Sequence, residues 1–155
     1  MAEEEILLTP EGRERLRAEL EHLRTVRRPL IAQQLREAID EGDLTENAGY
    51  EDAKYEQSFV EGRILTLETL LKGAVVVESA RSSDRVHFGS HVTIMERGGG
   101  EESFQIVGFA EADPDNGRIS NESPLGEALL DHKVGDEVVV EAPDGLLYFE
   151  IVDIR

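Results

Sequence analysis

Two carboxylates three residues apart, Asp43 and Glu46, stand in the run Glu41-Gly42-Asp43-Leu44-Thr45-Glu46-Asn47-Ala48-Gly49-Tyr50, between two long helical patterns. Their types and spacing suit two kinds of chemistry. Asp followed three positions later by Glu at a helix start is the acidic form of a capping box, in which each side chain satisfies an orphan backbone N–H of the first turn. Paired hard oxygen ligands at an exposed tip also hold a Mg²⁺ ion that keeps its waters and is completed by ligands from elsewhere. The two roles are compatible, because a cap can fix the turn and leave carboxylate oxygens free. No rival centre competes with this pair: His22, His87, His91 and His132 are scattered over different elements without metal-ligand spacing, and there is no phosphate loop or nucleophile elbow.

Such a tip must be carried by something rigid, and the flanking sequence supplies it. Thr9 and Pro10 read as the N-cap and first position of a helix. Leu16, Leu20, Leu23 and Leu30 then fall at heptad spacing, and Ile31, Leu35, Ala38 and Ile39 continue the stripe after a phase shift. Pro29 lies inside this pattern and should kink or locally break the helix rather than end it. The second arm runs from about Glu46 to Lys72, with Ala53, Val60, Ile64, Leu67 and Leu71 as its apolar positions and Tyr50, Phe59 and Leu70 widening the stripe. Two helices of similar length joined by a few residues should pack as an antiparallel coiled coil, each arm spanning about 40 Å. Gly73 supplies the stop.

Beyond it the period becomes that of strands. Ala74 to Glu78 is a β-branched run and Ser79 to Arg85 a polar linker. His91–Met95 and Phe104–Val107 flank Gly98-Gly99-Gly100, Asp115-Asn116-Gly117 is a turn, Pro124 opens a short helix through Leu130, and Val138–Val140 and Tyr148–Val152 flank Pro143-Asp144-Gly145. The expected fold is α+β: a coiled-coil hairpin over 1–78 with its acidic tip at 41–47, then a small antiparallel sheet with one short helix over 79–155.

Composition narrows the function. The formal charge of −18 and the absence of cysteine argue against holding nucleic acid by general phosphate neutralisation and exclude disulfides and thiolate metal sites. Charge is also uneven, with seven Arg against three Glu from Arg13 to Arg36 and seven acidic residues against Lys54 alone from Asp40 to Glu56. The acidic start Met1-Ala2-Glu3-Glu4-Glu5 lacks the pattern of a signal peptide, and no apolar run approaches a bilayer span. A cytoplasmic protein with no membrane partner is the expectation.

The tip run, together with Arg27-Arg28-Pro29, Glu61-Gly62-Arg63-Ile64, Phe104-Gln105-Ile106-Val107-Gly108, Ile119-Ser120-Asn121-Glu122-Ser123-Pro124-Leu125 and Val134-Gly135-Asp136-Glu137-Val138, resembles the GreA/GreB transcript cleavage factors of bacterial RNA polymerase, more closely GreA. The similarity covers nearly the whole chain in the right order. It implies an FKBP-like C-terminal domain that docks at the mouth of the polymerase secondary channel, with Ser123, Pro124 and Leu125 near the rim of the largest subunit. It also implies a coiled coil that threads the channel as a monomer and brings Asp43 and Glu46 to the active centre. There the pair would hold a second Mg²⁺ jointly with the polymerase, stimulating its own cleavage of backtracked RNA; the factor would be inert alone and not an enzyme. Asn47, Tyr50 and Lys54 would face the nascent RNA 3′ end or support the metal site. Ile39 and Glu41 depart from residues common in the family and leave the RNA grip thin. The alternative is a Gre-like channel binder that inhibits polymerase without promoting cleavage. A prolyl isomerase is disfavoured, because Phe88, Phe104, Phe109, Tyr148 and Phe149 are the only aromatics of that half and no Trp floors a proline pocket.

Overall fold

The computed structural model describes residues 5–41, 48–78 and 84–155. The chain divides into two compact units, Arg13–Gly73 and the remainder, in which residues through Gly12 join Ala74–Arg155. Divided by contacts, the unit boundaries lie at Gly12 and Gly73. The reason is a strand that sequence reading missed. β1 (Ile6–Leu8) pairs in parallel with β2 (Ala74–Val76), Ile6 opposite Ala74 and Leu8 opposite Val76. Both ends of the hairpin sequence are thereby drawn into the sheet unit.

In the helical unit, α1 (Pro10–His22) runs into a π-helical turn at Leu23–Arg27 and then into α2 (Arg28–Asp40); α3 (Ala48–Gly73) is the returning arm. Thr9 caps α1 as expected, its Oγ1 accepting the Gly12 N–H at 3.0 Å. The expected kink at Pro29 takes a specific form. Proline has no N–H for the carbonyl four residues back and its ring crowds that carbonyl, and the turn before it widens, the Arg28 N–H bonding to Leu23 O, five residues back. A wider turn also shifts the phase of everything after it. Leu16, Leu20, Ile31 and Ala38 are buried, whereas Leu30, expected in the seam, is 41% exposed and Ile31 takes its place.

On α3 the seam is Ala53, Val60, Ile64 and Leu67, all buried. Phe59, expected to widen this stripe, is instead 68% exposed. A single facing helix covers only a narrow stripe, and a residue rotated about 100° from Val60 lies outside it.

The sheet unit holds five strands in the order β5-β4-β3-β7-β6: β3 (His91–Glu96), β4 (Glu101–Val107), β5 (Arg118–Ser120), β6 (Glu137–Ala142) and β7 (Gly145–Ile154). The hairpins expected at the triple glycine and at Pro143–Gly145 are present. The sheet is not wholly antiparallel, since β5 runs parallel to β4, with Gln105 opposite Arg118. The chain between them, with Gly117 in a left-handed turn at φ 75°, is long enough to return to the same end of the sheet. One face packs Val92, Ile94, Ile106, Ile119, Val138 and Ile151 around Leu129 of α4 (Pro124–Leu129). The fold is α+β, a coiled-coil hairpin and an FKBP-like sheet-and-helix domain. Among the described residues no helix is long and apolar enough to cross a membrane.

Candidate functional site

Asp43, Glu46 and Asn47 lie outside the described residues, as do Gly42, Leu44 and Thr45. What the structure describes is the frame that carries them. α2 ends at Asp40 with Glu41 as its C-cap, the Glu41 N–H bonding to Glu37 O at 3.2 Å, and α3 is described from Ala48. The end of the hairpin is acidic on its flank: Glu37, Glu41, Asp52 and Glu56 line an open groove of about 360 Å³ with Gln34 and Ala53. Among the described residues no group of three or more His, Asp or Glu is placed to hold a metal ion.

Tyr50 and Lys54 come together on α3. One helical turn apart, they place the Lys54 ammonium 6.0 Å from the Tyr50 ring centroid, at the outer limit of a cation–π contact. Lys54 also donates to Gln57 Oε1 at 3.4 Å. Tyr50 is half-buried and Lys54 exposed, so the pair presents a cation on an otherwise acidic segment. Ile39 is 51% exposed and apolar.

Among the described residues, four cross-arm ion pairs that were not legible as pairs in the sequence tie the arms. Arg24 meets Glu68 and Arg27 meets Glu56. Arg28 grips Glu61 through two bonds of 2.8 and 2.9 Å, and Arg63 grips Glu19 through two of 2.7 and 2.9 Å. Both of these are forked guanidinium–carboxylate contacts, a geometry lysine cannot reproduce. The bond from Arg28 holds the Glu61 carboxyl below its ordinary value, and Glu61 in turn raises Arg28. Glu19 likewise raises Arg63. The basic first arm is thus partly matched by acids of the second, and the available signal was the recurrence of opposite charge on both arms.

Ser123, Pro124 and Leu125 belong to the sheet unit. Ser123 is the N-cap of α4: its Oγ accepts the Gly126 N–H at 3.1 Å and donates to Ser120 O at 2.6 Å. Pro124 is exposed and occupies the first helical position, while Leu125 packs partly against the core. The segment is therefore a rigid corner with one apolar face outward.

The model of the GreA/GreB transcription elongation factor N-terminal domain matches residues 6–76, and that of the GreA/GreB C-terminal domain matches 81–155. The transcription elongation factor GreA of Clostridium perfringens is 50% identical over 100% of this chain and 99% of its own length. That of Bacillus subtilis is 46% identical over 99% of each. Among solved structures, the GreA factor homolog 1 of Thermus thermophilus is 36% identical, covers 98% of this chain and 99% of its own, and superposes with a TM-score of 0.46. Two family models in tandem and relatives near half identity from end to end place this chain in the GreA/GreB family of transcription elongation factors.

Proposed function

We propose that this chain enters the secondary channel of RNA polymerase and stimulates the polymerase's own cleavage of backtracked nascent RNA. Full-length family membership carries the reading, and an intact Asp43-x-x-Glu46-Asn47 tip at the end of the hairpin sequence is its chemical support. Phosphodiester hydrolysis by two metal ions needs one ion to orient the attacking water and one to offset developing charge. The polymerase holds one Mg²⁺, and Asp43 and Glu46 would supply oxygen ligands to the second, with no complete metal site of their own. The factor is then inert by itself and acts as an accessory to the polymerase. Asn47, Tyr50 and Lys54 would lie beside the RNA 3′ end, and the Ser123-Pro124-Leu125 corner would dock on the rim of the largest subunit.

The test uses stalled, backtracked elongation complexes with labelled RNA and Mg²⁺. The parent chain should shorten the transcript from its 3′ end, while Asp43→Asn and Glu46→Gln should bind polymerase and lose cleavage by at least about a hundredfold, the scale of removing one charge-stabilising group from a reaction centre. A parent chain that binds polymerase, slows nucleotide addition and shortens no RNA would instead establish the inhibitory alternative.

A further inference from the structure

The five-stranded sheet has a second face, turned away from the core around Leu129. Residues opposite one another on antiparallel strands share a face, so Met95 with Glu150, Tyr148 with Val139 and Leu146 with Glu141 all stand on this side. Leu146 is 53%, Val139 47% and Met95 36% exposed. Apolar side chains gathered on one face and rimmed by polar groups mark a contact surface. The rim here is acidic: Glu101, Glu137, Glu141 and Glu150 carry it, and among the described residues Arg97 is the base beside them.

Arg97 shows what this patch can hold. Its guanidinium lies 4.4 Å from the Tyr148 ring centroid, while one terminal nitrogen bonds both oxygens of Glu137 at 2.7 and 2.8 Å. An aromatic face with a carboxylate at its edge suits a planar, weakly hydrated guanidinium better than an ammonium. The Arg97 backbone is fixed, its N–H bonding to Tyr148 O at 2.9 Å, but the side chain is 64% exposed. An exposed pair of this kind is weak, and rotating the side chain uncovers the ring without disturbing the strand. An open hollow of about 220 Å³ beside it is lined by Met95, Gly99, Glu137, Tyr148 and Glu150.

We infer that this face, at Tyr148, Val139 and Leu146, docks an arginine-bearing segment of a partner protein, whose guanidinium takes the place of Arg97 on the Tyr148 ring. Charge selects the occupant. Four carboxylates against one guanidinium attract a basic segment, repel the phosphates of nucleic acid, and repel the same face of a second copy of this chain. Aliphatic neighbours of the arginine would rest on Val139 and Leu146, with Glu141 and Glu150 left to pair with further bases. Arg97 is then a built-in competitor, which covers the ring until a partner arrives and lowers the partner's apparent affinity. Nothing in this role depends on the cleavage activity proposed above.

The probes are a capped heptapeptide alternating valine with arginine and its lysine counterpart. Each is titrated into the full chain at about 0.15 M salt, where long-range attraction is screened, and NMR shifts are read. The arginine peptide should shift Tyr148, Val139 and Leu146 and bind about threefold or more tighter than the lysine peptide. Arg97→Ala should tighten it by about threefold further. Arg155→Ala removes the same charge at another exposed arginine and should change affinity by less than about 1.5-fold. Tyr148→Leu should erase the preference for arginine. No binding, or equal binding of the two peptides, overturns the inference, as do equal effects of Arg97→Ala and Arg155→Ala, or shifts that fall elsewhere. A dimer of the parent, seen by sedimentation and dispersed by Leu146→Glu, gives the face to a second copy and overturns it too. The Arg97 and Arg155 variants decide the matter even where Tyr148→Leu does not fold.

Discussion

Ser123 shows how a single hydroxyl can serve the fold before it serves a partner. It accepts from Gly126 and donates to Ser120, so Ser123→Ala should lower stability by about 1 kcal/mol in urea unfolding; an unchanged midpoint would remove the cap from the account of α4. Asp136 makes a similar point about charge. The backbone N–H of Lys133 at 2.9 Å, then the His132 ring at 3.2 Å, hold its carboxyl below the ordinary value of 3.8. A carboxyl with a lowered value in the folded state favours folding when ionised, so its contribution is present above pH 3.8 and fades as pH falls through the folded value. Asp136→Asn keeps an acceptor oxygen and loses the charge. It should be less stable than the parent at neutral pH, and the difference should close below pH 3.8 in a pH series of thermal midpoints. A gap independent of pH would mean the charge plays no part.

Elements repeat this pattern with more residues. The seam of α3 and the outward face differ by a single position, which makes Leu67 and Phe59 a direct comparison: one is fully buried, the other 68% exposed. Leu67→Ala should cost about 2–5 kcal/mol through lost burial and a residual cavity, whereas Phe59→Ala should stay within about 0.5 kcal/mol. A large loss at Phe59 would show that the face is covered. The helical arms, both hairpins, the Asp115–Gly117 turn and the Pro124 helix were legible in the sequence because their signals are local: heptads, alternation, glycine turns and a Ser-Pro helix start. What was not legible depends on distant partners or on an irregular turn. β1 is three residues long and exists because β2 lies beside it. Glu111 meets Thr9 across 102 positions. The phase shift itself was legible in the apolar pattern, but not that the π turn before Pro29 places it ahead of Leu30, so that Ile31 takes the seam position. The chemistry expected of the tip falls on residues outside the described ones.

For the molecule as a whole, the charge of −18, from 34 acidic and 16 basic residues, sets two effects of salt against each other. Screening relieves the repulsion among the excess carboxylates, which destabilises a compact state. It also weakens the cross-arm pairs, but those are partly exposed, with side-chain exposures of 33–47%, and exposed pairs contribute little to stability. Repulsion acts over the whole surface and at low salt extends over about 30 Å, falling to about 8 Å at 0.15 M. The repulsive effect should therefore win. The thermal midpoint should rise as sodium chloride goes from about 0.01 to 0.15 M, and a variant lacking the Arg28–Glu61 pair should rise more steeply, having less attraction to lose. A midpoint that falls with salt would show that the ion pairs tying the two arms outweigh the net charge, and that the hairpin owes its stability to them rather than to its narrow apolar seam.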